Sequence, residues 1–263
     1  MRAPAADIEG VRLATRRLLR TIDDLTDAQA ARGSLLPDWT RAEVLTHIAR
    51  NADGVRRLAE AAARGDIDAQ YPGGAEQRAT DIAAGQGVGA AALRSDVRRA
   101  SDALMEVWRT LPDNAWDRDG KVIDGTRTIA HTVWSRWREV ELHHLDLDLG
   151  YQPSDWPVVF VRRALCERVE RLGTRAEDEP ARPGSEEARY RIEASDHGRA
   201  WVLAVDGSGV LPLADDGSIP IDATICGWGC DLLAWLYGRD PGAELEVSGT
   251  QEVLQLPQRF PFD

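Results

Sequence analysis

Lysine is almost absent from this 263-residue sequence: Lys121 is the only one, and the other 31 basic residues are arginine. The arginines occur in pairs such as Arg16–Arg17 and Arg98–Arg99 but never form a basic run, so they read as a compositional bias rather than a binding patch. With 44 acidic residues against 32 basic ones the net charge is −12, which repels phosphate backbones, and no nucleic-acid partner is expected. Cysteine is scarce too. Cys166, Cys226 and Cys230 are an odd, small set, which argues against a disulfide framework. Cys226 and Cys230 stand four apart in ICGWGC, not at the spacing of a C-x-x-C redox pair, and no histidine lies nearer in sequence than His197. They are expected as small buried residues at a helix start. Long apolar runs are missing as well. No stretch reaches the 18 or more residues of a membrane span, and MRAPAADIEG lacks the apolar core of a signal peptide. The expectation is a cytoplasmic protein.

What is present is the ordinary material of a globular protein, 43% hydrophobic and 29% charged, in a length that suits one large or two small domains. Apolar residues recur with helical spacing through residues 8–25, at Ile8, Val11, Leu18, Ile22 and Leu25. Thr40 and Glu43 form a T-x-x-E capping box that opens a helix over 41–64, with Gly65 at its end. YPGG marks a turn, followed by a short helix over 76–84 and a longer one over 90–111 that stops at Pro112. Residues 117–125 are polar and predicted as a loop, and a long helix over 128–149 closes at Gly150. Four long helices with modest links predict an antiparallel bundle.

Beyond it the pattern changes. A helix is expected over 156–172 and an exposed, charged, proline-containing loop over 175–187. Tyr190, Ile192 and Ala194, then Trp201, Leu203 and Val205, and later Leu245 and Val247, alternate with polar neighbours as in strands. Between them ATICGWGCDLLAWLYGR reads as one apolar helix of roughly four turns. The second part is thus expected to be α+β, a small antiparallel sheet with packed helices. The domains are placed at 1–152 and 153–263.

The chain has five histidines, three of them in two helical segments, LTHIARNADGV around His47 and SRWREVELHHLDLDLGY around His143 and His144. Glu139 and His143 are four apart and share one helix face. Two ligands on one helix turn and a third from a neighbouring helix make a metal site inside a bundle. Imidazole and carboxylate suit zinc and leave a coordination position open, and nickel, manganese or iron take the same donors. Spacing alone leaves alternatives: Glu141 competes with Glu139, and His144, about 100° round the helix, competes with His143. A Glu/His pair at this spacing is as readily a solvated ion pair, and nothing in the periodicity brings His47 to Glu139.

LTHIARNADGVRRL and RWREVELHHLDLDLGY resemble the two signature segments of the mycothiol-dependent maleylpyruvate isomerase family, part of the DinB-like superfamily. The resemblance implies a DinB-like antiparallel four-helix bundle followed by a small α+β, sterol-carrier-like C-terminal domain. It implies a divalent metal, zinc first, on His47, Glu139 and His143, and a substrate-holding catalytic arginine that falls on Arg239 in WLYGR. Arg239 reads nearly as readily as a helix C-terminal residue favoured by the dipole. Asn51 and Asp146 are candidates to orient the metal-bound imidazoles. Arg138 stands ready for a substrate carboxylate or a surface acid. His131 and His144 are expected to be structural, His197 exposed in a turn, and Trp134 and Trp137 to pack the core or line a pocket.

Mycothiol is then the implied cofactor. A metal lowers the pKa of a coordinating thiol, and the thiolate adds to the cis double bond of maleylpyruvate. The bond becomes single, rotates, and expels the thiolate to leave fumarylpyruvate. The nearest rival is a mycothiol S-transferase, which keeps the thiol on its product. A third reading is a non-enzymatic ligand-binding protein with a structural metal, which a fourth ligand such as Asp146 or Glu141 would favour. The partners expected are a small thiol and a small anionic or electrophilic substrate, with no membrane, for a monomer.

Overall fold

The computed structural model describes residues 2–172, 187–206, 209–215 and 217–260. The chain divides into two compact units, Met1–Tyr151 and Gln152–Asp263. Among the described residues no helix is long and apolar enough to cross a membrane.

The first unit runs α1 (Ala5–Thr21), α2 (Asp27–Ala30), α3 (Arg41–Arg64), α4 (Gly74–Ala83), α5 (Ala90–Thr110), a hairpin of β1 (Asp119–Val122) and β2 (Gly125–Thr128), and α6 (Ile129–Asp146). The long helices α1, α3, α5 and α6 pack on one another, α3 touching both α5 and α6 and α1 closing against α6 and α5. α3 begins and ends as its sequence dictates: Thr40 and Glu43 complete the capping box, and Gly65 takes φ 88° at the left-handed C-cap. The approach of α1 to α6 depends on Gly10, where an added Cβ would lie 2.5 Å from the Trp137 ring.

α3 and α6 run in opposite directions, and two buried arginines tie them together. Arg41, at the start of α3, donates to Leu147 O at 2.6 Å and Asp148 O at 2.9 Å, just past the end of α6. Arg136, in the middle of α6, donates to Ile48 O at 2.8 Å and Asn51 Oδ1 at 2.9 Å. Each satisfies backbone or amide oxygens in the interior, so the helix pair is held at both ends of the stretch that carries His47.

Two expectations need correction here. Residues 117–125 are not simply a loop, since β1 and β2 pair antiparallel with Val122 opposite Gly125. This exposed hairpin has too few apolar residues to show strand alternation. α6 ends at Asp146, three residues early, and Asp148 and Gly150 then take positive φ values of 51° and 87°.

The second unit contains α7 (Val158–Leu172), β3 (Ala188–Ala194), β4 (Arg199–Val205), β5 (Val210–Leu213), β6 (Ala223–Gly227), α8 (Gly229–Leu236), β7 (Glu246–Gly249) and α9 (Leu256–Arg259). The sheet order is β5-β4-β3-β6-β7. It is mixed rather than antiparallel, because β3 and β6 pair in parallel. ATICGWGCDLLAWLYGR is not one helix. Ala223–Gly227 is a strand and only Gly229–Leu236 is helical. A short apolar run suits either element, and β-branched Thr224 and Ile225 with Gly227 decide for the strand here. Cys226 therefore lies on a strand, opposite Glu193 and Glu246, and not at a helix start. The loop expected at 175–187 lies outside the described residues except for Glu187.

Candidate metal centre

His47 sits on the second turn of α3 and is almost fully buried. Glu139 and His143 stand one turn apart on α6, on the side that faces α3. The three side chains converge: one ligand atom from each lies within 4.8 Å of the others. His47 Nε2 is 2.8 Å from Glu139 Oε2, and His143 Nε2 is 3.5 Å from the same oxygen. The two imidazoles meet edge to face, with centroids 4.6 Å apart. Two imidazole nitrogens and one carboxylate oxygen are the donor set of an open zinc site, whose ligands stand about 3.4 Å apart round one ion. Glu139 and His143 keep 28% and 15% of their side-chain surface exposed, so one side of the cluster faces outward.

The protons in this cluster follow from its geometry. Burial, then the neighbouring His143, pushes His47 down to about 4, so its ring is neutral. Burial works against charge on His143 as well, but hydrogen bonds to Asp146 and Glu139 prevail and raise it to about 9. Burial likewise opposes charge on Glu139, yet the bonds from His143 and His47 hold its carboxyl well below the usual range. The pocket thus holds one carboxylate, one neutral imidazole and one imidazole proton that a metal would displace.

The neighbours show which alternatives fall away. Asp146, fully buried, lies 2.8 Å from His143 Nδ1, so Nε2 is left to face the cluster. Asn51 accepts from Arg136 and serves the helix pair instead of an imidazole. Glu141 points to the other side of α6, where it accepts from Arg17 at 2.5 Å, Trp137 Nε1 at 2.9 Å and Tyr151 Oη at 2.6 Å. His144 faces that side too, stacked on Tyr151 and 2.8 Å from Thr21 Oγ1. Trp137 packs against α1 and Trp134 against Trp137, so neither is on the side of the triad. Arg138 is buried, and His131 is half-buried near the start of α6. Arg239 lies in the second unit, where it donates to Tyr237 O at 2.6 Å. His197 is not exposed as expected: its side chain is 6% accessible and abuts Gly229.

Four further residues lie near the triad. Trp39, in the loop before α3, meets His47 edge-on at 5.7 Å. Arg78 of α4 brings a guanidinium nitrogen to 3.5 Å from His47 Nδ1. Tyr71, buried just before α4, has a phenol pushed up by burial and by the charge of Glu139. Arg136, fully buried, is pushed down to about 10 by burial against the pull of Glu139. Trp39, Tyr71 and Arg78 come from loops or from far along the chain, beyond the reach of spacing rules, whereas Arg136 stands three residues before Glu139 on α6, where i, i+3 spacing could have found it. A cleft of about 320 Å³ has Tyr71 in its wall with Arg50, Asp53, Gly54 and Arg57, further along α3 from His47.

The sequence profile of the mycothiol maleylpyruvate isomerase N-terminal domain matches residues 11–148, the stretch that carries all three ligands. No curated protein sequence matches the chain. A crystal structure of a mycothiol-dependent maleylpyruvate isomerase is similar with a TM-score of 0.76 and 23% identity, over 93% of this chain and 92% of that one. A histidine-to-alanine mutant of a mycothiol-dependent maleylpyruvate isomerase matches with the same TM-score and coverage at 22% identity. At this identity the likeness is one of fold. The matched segment covers more than half of the chain, which therefore belongs to the mycothiol maleylpyruvate isomerase N-terminal domain family.

Proposed function

We propose that this protein is a mycothiol-dependent isomerase that converts maleylpyruvate, or a similar cis-unsaturated acid, to its trans isomer, with a divalent metal, zinc first, on His47, Glu139 and His143. In this reading residues 1–152 form a DinB-like antiparallel four-helix bundle and residues 153–263 a sterol-carrier-like domain, in a cytoplasmic monomer. One observation carries the proposal: three ligand atoms, from two helices of the family's own domain, converge with one side open. Among the described residues no fourth acid or imidazole joins them, since Asp146 is held by His143 and Glu141 by Arg17, Trp137 and Tyr151. A structural metal would need that fourth ligand.

When bound, the ion supplies Lewis acidity that lowers the pKa of a coordinating thiol, and the thiol supplies the nucleophile for addition and elimination across the cis double bond. The chain's own residues prepare the place. Asp146 accepts from His143 Nδ1–H and keeps Nε2 turned to the centre. Burial keeps His47 neutral, as ligation requires. Arg41 and Arg136 tie α3 to α6 on either side of His47. Arg239 remains the family's candidate for the substrate carboxylate.

The test is to supply maleylpyruvate to zinc-loaded protein with and without mycothiol, following substrate absorbance and free thiol together. Catalytic conversion to the trans acid with the thiol recovered is expected. Stoichiometric loss of thiol into a conjugate would instead identify an S-transferase, and no thiol-dependent change would sink the enzymatic reading of this substrate.

A further inference from the structure

The two imidazoles of the triad differ in what their second nitrogen meets. His143 Nδ1 has Asp146 Oδ2 at 2.8 Å. His47 Nδ1 has Arg78, a guanidinium nitrogen at 3.5 Å. An imidazole that gives Nε2 to a metal carries its proton on Nδ1 and is a donor there, and it ordinarily donates to a carboxylate, carbonyl or water. Arg78 has only donors. With Nε2 turned to Glu139, Nδ1 can accept from Arg78; once Nε2 is given to a metal the two donors face one another, and both call for an acceptor beside them. Tyr71 lies against the same guanidinium with its hydroxyl buried. Among the described residues no carboxylate forms an ion pair with Arg78, and Glu139, the nearest acid of the triad, is engaged by both imidazoles.

We propose that Arg78 is a substrate-binding residue that grips a carboxylate of a small organic acid, one oxygen of which also accepts from His47 Nδ1–H, with the Tyr71 hydroxyl as a further donor. The inference rests on the metal-site reading above and deepens it: it assigns the acid's anchor to α4, in the same unit as the triad. A guanidinium suits this task because it offers parallel N–H groups to both carboxylate oxygens, and half-burial strengthens the bond. A carboxylate held there lies beside His47, one of the three ligands of the triad.

The experiment is calorimetric titration of maleate, without thiol so that no addition can occur, into zinc-loaded wild type, Arg78→Gln, Arg78→Lys and Tyr71→Phe, with zinc content measured on each. Binding to the wild type is expected, weakened about tenfold to hundredfold in Arg78→Gln, partly regained in Arg78→Lys, and weakened less in Tyr71→Phe, all at unchanged zinc content. Absence of binding to the wild type, equal affinity in zinc-loaded Arg78→Gln, or loss of zinc from that variant would each overturn the proposal. The readout is independent of turnover. Arg78-dependent maleate binding without isomerisation of maleylpyruvate would keep this inference and discard the isomerase.

Discussion

Two carboxylate–imidazole pairs lie on opposite sides of α6, and their fates differ. Glu141 and His144 face α1, where Glu141 is saturated by Arg17, Trp137 and Tyr151 and His144 is stacked on Tyr151 and bonded to Thr21. Glu139 and His143 face α3, where, among the described residues, the carboxylate is bonded by two imidazoles and keeps part of its surface open. The residue types are the same; the partners are not. A buried acid whose acceptors are filled by donors of the fold contributes to stability, whereas one that meets only other metal-ligating groups is available for chemistry. The second unit extends the contrast. Its buried polar groups bond to backbone, Asp206 to Gly209 N, Asp231 to Gly242 N and Arg168 to Leu236 O, and hold turns and a helix end in place.

The largest effect should come from breaking the triad. Wild type is expected to hold about one metal per chain, and His47→Ala, Glu139→Gln and His143→Ala to hold none by elemental analysis, while Glu141→Gln keeps its metal. A metal-free wild type after zinc reconstitution, or retention by the three variants, would remove the distinction between the two sides. Next comes Glu141→Leu, which strands Arg17, Trp137 and Tyr151 and should cost about 3–5 kcal/mol in denaturant unfolding; the folded fraction should still bind metal one to one. A cost close to zero would mean that this side is not the stabilising one.

Asp146→Asn sharpens the comparison further. The amide can still meet His143 Nδ1 but lacks the charge, so metal affinity should fall about tenfold or somewhat more in a competition titration with a chromogenic chelator, with the fold intact. Unchanged affinity would show that the Asp146 bond does not orient the ligand. A further effect concerns pH. Burial, then Arg17, pushes His144 down to about 3 from an ordinary 6.5. The unfolded chain takes up this proton as pH falls through 6.5 and the folded chain does not, so the stability present above that pH drains away by about 1.4 kcal/mol per unit towards pH 4. His144→Gln should flatten the slope by that amount in urea melts at pH 4.5 to 7, and an identical slope in the variant would contradict the buried neutral imidazole.

Much of the first unit was legible because its signals are local. The Thr40–Glu43 box and Gly65 delimit α3 to the residue, and the i, i+4 spacing of Glu139 and His143 puts them on one face whatever surrounds the helix. The hairpin over residues 119–128 and the strand at Ala223–Gly227 were not legible. One is exposed and polar; the other alternates buried Ala223 and Ile225 with half-buried Thr224 and Cys226 over only five residues, and leads straight into the apolar α8, too short a run to tell from a helix start.

Sequence by itself determined the helices of the first unit, the shared face of Glu139 and His143, and, through its two signature segments, the family. These follow from backbone periodicity, capping and motif, which act over a few residues. Only the tertiary structure decided that His47 meets Glu139, that Glu141 and His144 are spent on Arg17, Tyr151 and Thr21, and that Trp39 and Arg78 flank His47. Those outcomes depend on which helix faces come together, and that is fixed by the packing of the unit as a whole, through contacts such as Gly10 on Trp137 and Arg136 on Asn51, rather than by any spacing along the chain.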